Sequence, residues 1–148
     1  MKKSLALSLA LVIALIAFSA STPSAVASST DLPPGIYVTT MSESDIPAEF
    51  PPEVVALLVG YWEVEFTESG SFIVHKDGFP VATGRYNSNP ARINMKDLEG
   101  ALACTDAPGI AHATYRWALS NNELLLTTVN DRCAGRNLVL TAHPLQKQ

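Results

Sequence analysis

Polar and apolar residues alternate most strictly over Tyr61 to Thr67, where Trp62, Val64 and Phe66 share one face and Glu63, Glu65 and Thr67 the other. A period of two with one apolar face describes a β-strand half sunk in a core. The same pattern, helped by β-branched and aromatic residues, predicts strands over Gly35 to Met41, Ser71 to Lys76, Val81 to Tyr86, Ile93 to Met95, Ala111 to Leu119, Leu124 to Val129 and Arg136 to Thr141. Turn residues separate them: Glu68-Ser69-Gly70, Asp77-Gly78, Asn87 to Pro90 and Asn121-Asn122. Asp-Gly is the strongest of these signals, because a tight hairpin turn needs positive φ and both residues tolerate it. One segment breaks the rhythm. Pro51-Pro52-Glu53 sets proline in a helix's first turn and a carboxylate near its positive end, Val54 to Val59 continues it, and Gly60 stops it.

The chain is therefore all-β. An eight-stranded antiparallel up-and-down barrel, with one short helix between strands one and two, removes exposed edges by pairing the first strand with the last. A two-sheet sandwich meets the same alternation and stays open at this level. In a barrel the connections alternate between two ends, so the helical link, the loop Lys96 to Ile110 and the loop Asn130 to Gly135 all fall at one end. Cys104 and Cys133 occupy the last two loops and can meet there. Trp62, at the start of its strand, belongs to the same end. Arg136 opens the last strand there and shares parity with Leu138 and Leu140, so it points inward. Stacking on an indole face would offset part of the cost of burying it.

The ends of the chain add a compartment. Lys2 and Lys3, the apolar run Leu5 to Phe18 broken only by Ser8, and Ala25-Val26-Ala27 form the three parts of a secretory signal. The run is shorter than the about 20 residues of a membrane anchor, and no cysteine follows Ala27 to carry a lipid. Residues 1–27 thus read as a signal peptide, 28–34 as a disordered lead-in and 35–144 as the barrel domain, secreted or extracytoplasmic and without a membrane anchor after cleavage. In an oxidising compartment the only two cysteines read as one disulfide, Cys104 to Cys133. The 148-residue chain carries a formal net charge of −4, and loss of Lys2 and Lys3 makes it more acidic. An acidic domain without a basic stripe argues against nucleic acid and anionic membranes as partners. The expectation is a monomer.

Gly60-Tyr61-Trp62 resembles the Gly-x-Trp that opens a closed-end strand in the lipocalin-like (calycin) barrels, and Arg136 resembles by position the late basic residue that packs over that tryptophan. Ala113-Thr114-Tyr115-Arg116-Trp117 and Asp131-Arg132-Cys133-Ala134-Gly135-Arg136 are similar to two further features of small secreted bacterial lipocalin-like proteins of unassigned activity. Those features are a Gly-x-Tyr-x-Trp-like strand and an Asp-x-Cys-x-x-Arg loop, with Ala113 here in place of the usual glycine. The likeness covers most of Gly35 to Pro144. It departs in order, since a strand and a helix precede Gly-x-Trp. Such a helix resembles the one that covers the ligand portal in the fatty-acid-binding branch. The resemblance implies closed-end structural roles for Gly60, Trp62 and Arg136.

Candidate chemistry is sparse. His75, His112 and His143 share no metal-ligand spacing, so no metal or cofactor is implied. Asp131, Arg132 and Arg136 surround Cys133 and read as a network bracing the disulfide loop ahead of an anion site. Glu63 and Glu65 share the wet face of one strand, Glu68 follows in a turn, and no reacting partner is visible, so no catalytic residue is assigned. The bulky aromatics Phe66, Phe72, Tyr86, Tyr115 and Trp117 fall on inward faces away from the stapled end. They wall a site for a small apolar ligand, or they fill the barrel, because eight strands enclose just enough space for either. The leading reading is a secreted, non-catalytic lipocalin-like protein with a small apolar ligand in its barrel or under the helix. A pocketless structural or interaction module at the cell surface is the alternative, and a calycin-type enzyme is the third.

Overall fold

In the computed structural model, which describes residues 31–148, strands pair antiparallel in chain order and the last pairs with the first. Strand β1 (Gly35–Met41) leads through a 3-10 turn (Glu43–Asp45) and helix α1 (Pro52–Leu58) into β2 (Gly60–Phe66). Strands β3 (Ser71–Lys76), β4 (Phe79–Asn89) and β5 (Arg92–Glu99) continue the meander. A long loop carrying Cys104 precedes β6 (His112–Ser120) and β7 (Glu123–Asp131), and helix α2 (Ala134–Thr141) precedes β8 (Leu145–Lys147). Closure decides between the two all-β architectures: the chain is a barrel, not a sandwich. The two-residue turns Asp77-Gly78 (φ 51° and 84°) and Asn121-Asn122 (φ 50° and 65°) both use positive φ, the turn geometry that matches the twist of paired strands.

The larger of two apolar clusters surrounds the end of β2 that lies away from α1. Phe66 stands at its centre, with ring centroids 5.8 Å from Tyr37, 4.8 Å from Tyr86 and 6.4 Å from Phe72, all edge-on or tilted. Phe72 pairs across β3 and β4 with Gly84. A side chain at position 84 would collide with the Phe72 ring and the Lys96 carbonyl, so only glycine lets that ring lie against the backbone. The Tyr37 hydroxyl donates to the Pro33 carbonyl (2.7 Å) and the Tyr86 hydroxyl to Thr67 (2.8 Å), in the β2–β3 turn. Burial, with Tyr86 nearby, pushes the Tyr37 phenol up to about 12. These rings plug one half of the barrel. Leu32, 2% exposed, joins them, and its N–H donates to Ser88 Oγ at 2.9 Å. Part of the segment expected to be a disordered lead-in is thus packed, while the expected signal peptide, residues 1–27, lies outside the described residues.

The last expected strand is a correction. Arg136 to Thr141 is helical, and the eighth strand is Leu145–Lys147, so the barrel runs past residue 144. Arg136, Leu138 and Leu140 do fit a period of two. Cys133, Arg136, Val139 and Leu140 equally fit a helical stripe, and it is Val139 and Leu140 that are buried. β8 meets β7 only at Glu123 and Leu124, and β1 only at Tyr37 and Val38. Above that short seam α2 packs against β7, and Val139 joins Met41, Ile46, Leu58 and Trp62 in a second apolar cluster. A second difference extends β5 to Glu99, four residues beyond the expected end at Met95. Its alternation then places Asp97 inward, on the face of Ile93 and Met95.

Candidate functional site

Asp97 and Asp131 flank the start of β6, where Ala113 pairs with Met95 on one side and Asp131 on the other. Arg136 reaches them from the first turn of α2. That position is unfavourable for a cation, because the helix N-terminus is itself positive. Carboxylates and carbonyls compensate. Arg136 Nε donates to Asp131 Oδ2 (2.9 Å) and Nη2 to Asp131 Oδ1 (2.7 Å), a two-pronged pair. Nη1 donates to the Ala111 carbonyl and Nη2 to that of Ile110, both at 2.9 Å, and Nη2 also reaches the His112 carbonyl at 3.3 Å. Burial pulls the guanidinium pKa down, but the hydrogen bonds and charges of Asp131 and Asp97 outweigh it and hold the group above its ordinary range.

The same two carboxylates hold the disulfide. Cys104 and Cys133 are bonded, with Cα atoms 6.1 Å apart. The Cys104 N–H donates to Asp97 Oδ2 (2.7 Å) and the Cys133 N–H to Asp131 Oδ1 (2.8 Å). Each half-cystine is therefore tied to one aspartate, and Arg136 faces both aspartates. The Tyr115 hydroxyl donates to Asp131 Oδ2 from below. Burial, then the Asp131 hydrogen bond and charge, push this phenol well above the usual tyrosine range. Arg136 and Asp97 are 8% and 3% exposed at their side chains. Arg136 Nη1 stands 2.9 Å from Asp97 Oδ1, which completes a buried ion pair to the second aspartate.

Beside this cluster lies a cavity of about 420 Å³. Val54, Leu57 and Leu58 of α1 form one wall, Trp62, Phe72 and Val74 a second, and Leu102 with the disulfide a third; Val139 and Leu140 of α2 close it. Asp97, Arg136 and Asp106 are its charged borders. Leu57 and Asp106 are exposed and mark its rim. The cavity thus lies in the stapled half, under α1, whereas the aromatic-walled site read from the sequence lay towards the other end.

Of the five aromatics singled out from the sequence, Phe72 borders this cavity. Phe66 and Tyr86 form the plug, Tyr115 is fully buried beneath Asp131, and Trp117 is half-buried with its indole N–H on the Asn89 carbonyl (2.8 Å). The end to which the sequence assigned Gly60, Trp62 and Arg136 is the one that holds the cavity. Trp62 and Arg136 border the same cavity, and Gly60 sits where a side chain would meet the carboxylate of Asp77. The burial of Arg136 is relieved by oxygen atoms, where the sequence pointed to the indole. The Trp62 indole N–H instead donates to the Leu58 carbonyl at 2.8 Å and latches β2 to α1. Asp97 was missed because the segment after Met95 read as loop, although the parity of Ile93, Met95 and Asp97 carried the signal. His75 lies on the outer face, 3.4 Å from Glu63, and His143 pairs at the surface with Asp45 (3.0 Å). Among the described residues no group of three or more His, Cys, Asp or Glu is placed to hold a metal, and no helix is long and apolar enough to cross a membrane. Compared with protein-family models, curated proteins and solved structures, the chain matches none of them.

Proposed function

We propose that this chain is a secreted, monomeric, non-catalytic lipocalin-like protein that binds a small apolar molecule in the cavity between α1, α2 and the disulfide loop. The cavity carries the reading. Its volume of about 420 Å³ falls in the range of ~300–1,000 Å³ typical of small-molecule sites, and apolar side chains make up most of its wall. Placement supports it further. The aromatic plug fills the far half of the barrel, so the remaining space is concentrated at one mouth, beneath a short helix suited to cover an entry. The secretory pattern of Lys2 to Ala27 and the disulfide fit an extracytoplasmic setting.

Trp62 borders the cavity and Trp117 lies on the far side of the plug, so the two indoles separate a ligand in the mouth from one elsewhere. Neutral apolar fluorescence quenchers titrated into Trp117→Phe protein, which keeps Trp62, should give a saturable change. Trp62→Phe protein, which keeps Trp117, should stay silent. Equal responses from both, or none at micromolar concentrations, would remove the reading.

A further inference from the structure

We infer that the outer face of β4, β5 and β6 is a docking surface for an acidic polysaccharide. Four of the ten lysines and arginines of the chain, Arg85, Arg92, Lys96 and Arg116, alternate outward there and are exposed. In the ladders Arg85 stands opposite Lys96, Lys96 opposite His112, and Arg92 opposite Arg116. Like charges facing each other across a ladder are destabilising. No carboxylate relieves them: among the described residues the ion pairs belong to Lys76, Arg136, His75 and His143. Strands β4 and β6 carry no Asp or Glu, and on β5 Asp97 points inward while Glu99 ends the strand. Glu63 and Glu65 lie on β2, across the barrel from β6. The formal charge of −4 thus conceals a basic face. The sequence did not show it, because its members are spread over residues 85–116 and meet only through strand pairing.

The chemistry between the cations selects the partner. Arg92 and Lys96 put the two basic rows four residues apart on β5, about 13 Å at the rise of a strand. Asn87, Asn94 and Thr114 form the row between them. Thr114 Oγ1 donates to Asn94 Oδ1 (2.9 Å) and Asn94 Nδ2 to Asn87 Oδ1 (3.0 Å). That row offers amide and hydroxyl groups to sugar hydroxyls, while the rows on either side offer cations to carboxylates or sulfates. A shallow concavity of about 240 Å³ among Arg85, Asn87, Asn94, Lys96 and His112 gives a sugar ring a seat. Other polyanions fit less well. Tyr86, Tyr115 and Trp117 alternate inward, so no ring within the patch can stack on an unpaired base. The patch is sheet, without a helix to enter a duplex groove, and it presents no apolar side chain for insertion into a bilayer.

This surface is separate from the cavity, so its test and that of the apolar ligand fail independently. The wild-type protein is passed over immobilised polygalacturonate, with dextran, duplex DNA and phosphatidylglycerol vesicles as competitors, the last two matched in anionic charge. Binding should be saturable, weaken as salt rises from about 0.05 to 0.2 M, and resist all three competitors. The double variants Arg85→Gln with Lys96→Gln and Arg92→Gln with Arg116→Gln should each weaken it roughly tenfold. Lys76→Gln, on β3 and paired with Asp77, should leave it unchanged. Both double variants should keep or raise the urea midpoint, because each removes a facing pair of like charges. Absence of binding, indifference to salt, displacement by dextran, or an equal loss in Lys76→Gln overturns the proposal. Displacement by DNA or vesicles gives the face to that partner, and a wild-type dimer in sedimentation that the double variants dissolve gives it to a second copy. Either result overturns the polysaccharide. A lowered urea midpoint in the double variants would make the cations structural and overturn it as well.

Discussion

Arg136 joins the start of α2, the end of β7, the β5 carboxylate and the loop before β6 through one guanidinium. Read as a strand residue stacked on an indole, it would be nearly replaceable by a long apolar side chain. Read as the lone cation between two buried aspartates, it is not. Arg136→Met should lower unfolding stability by ~3–5 kcal/mol, the cost of stripping a buried charge of its partner, seen as a lower urea midpoint. A shift under about one kcal/mol would mean that the aspartates are hydrated. The tyrosines give the pH counterpart. Tyr37 is raised by burial to about 12, and Tyr115 is raised further by burial and Asp131. In the unfolded chain both ionise near about 10. The folded state keeps those protons while the unfolded state loses them, so their stabilisation is complete below pH ~10 and disappears as pH climbs through the folded values. The urea midpoint should fall over that alkaline window, and the Tyr37→Phe and Tyr115→Phe variants should each flatten the fall.

At the scale of elements, strands announced themselves and the helix that matters most did not. β1 and β3 have the bounds that alternation predicts, because a half-buried strand imprints its two faces on every residue. α2 defeated the same reading, since a six-residue window containing Leu138, Val139 and Leu140 satisfies both periods. Tertiary packing against β7 and the Trp62 cluster settles it. The site was half legible for a related reason. Cys104, Cys133, Trp62 and Arg136 could be brought to one end by topology alone. Which half of the barrel is hollow depends on where the rings of Tyr37, Phe66 and Tyr86 meet in space, and no periodicity encodes that. One small residue makes their arrangement possible. Gly84→Ala would drive a methyl group into the Phe72 ring and the Lys96 carbonyl, so it should cost roughly 1–3 kcal/mol as an overpacked core does. Unfolding of that variant monitored by near-ultraviolet dichroism reads the change, and an unaltered midpoint would show that β4 can shift away from Phe72.

For the molecule as a whole, the disulfide links residues 29 apart and fastens the two loops that border the cavity. Closing a loop of that length removes chain entropy from the unfolded state worth ~3–4 kcal/mol. Reduction should lower the thermal midpoint by a corresponding amount and weaken binding of apolar probes at the same time, because both half-cystines are part of the cavity wall. Reduction that lowers stability but leaves probe binding intact would show the loops to be held by Asp97 and Asp131 without the covalent link.

The barrel is sealed by three residues, and this shortness governs how the protein fails. Tyr37 and Lys147, joined across the seam, stand almost the whole domain apart in sequence, so their pairing closes the longest loop and should form late in folding. Whenever Leu145–Lys147 lets go, β1 and β7 become open edges able to take up a strand from a neighbouring copy. The Lys147 N–H on Asn122 and the Gln148 N–H on Ile36 should accordingly exchange with solvent deuterium well before the amides of β2 and β3. Resistance to aggregation in this protein is then set by its briefest strand, through strand exchange between copies, however well the aromatic plug is packed.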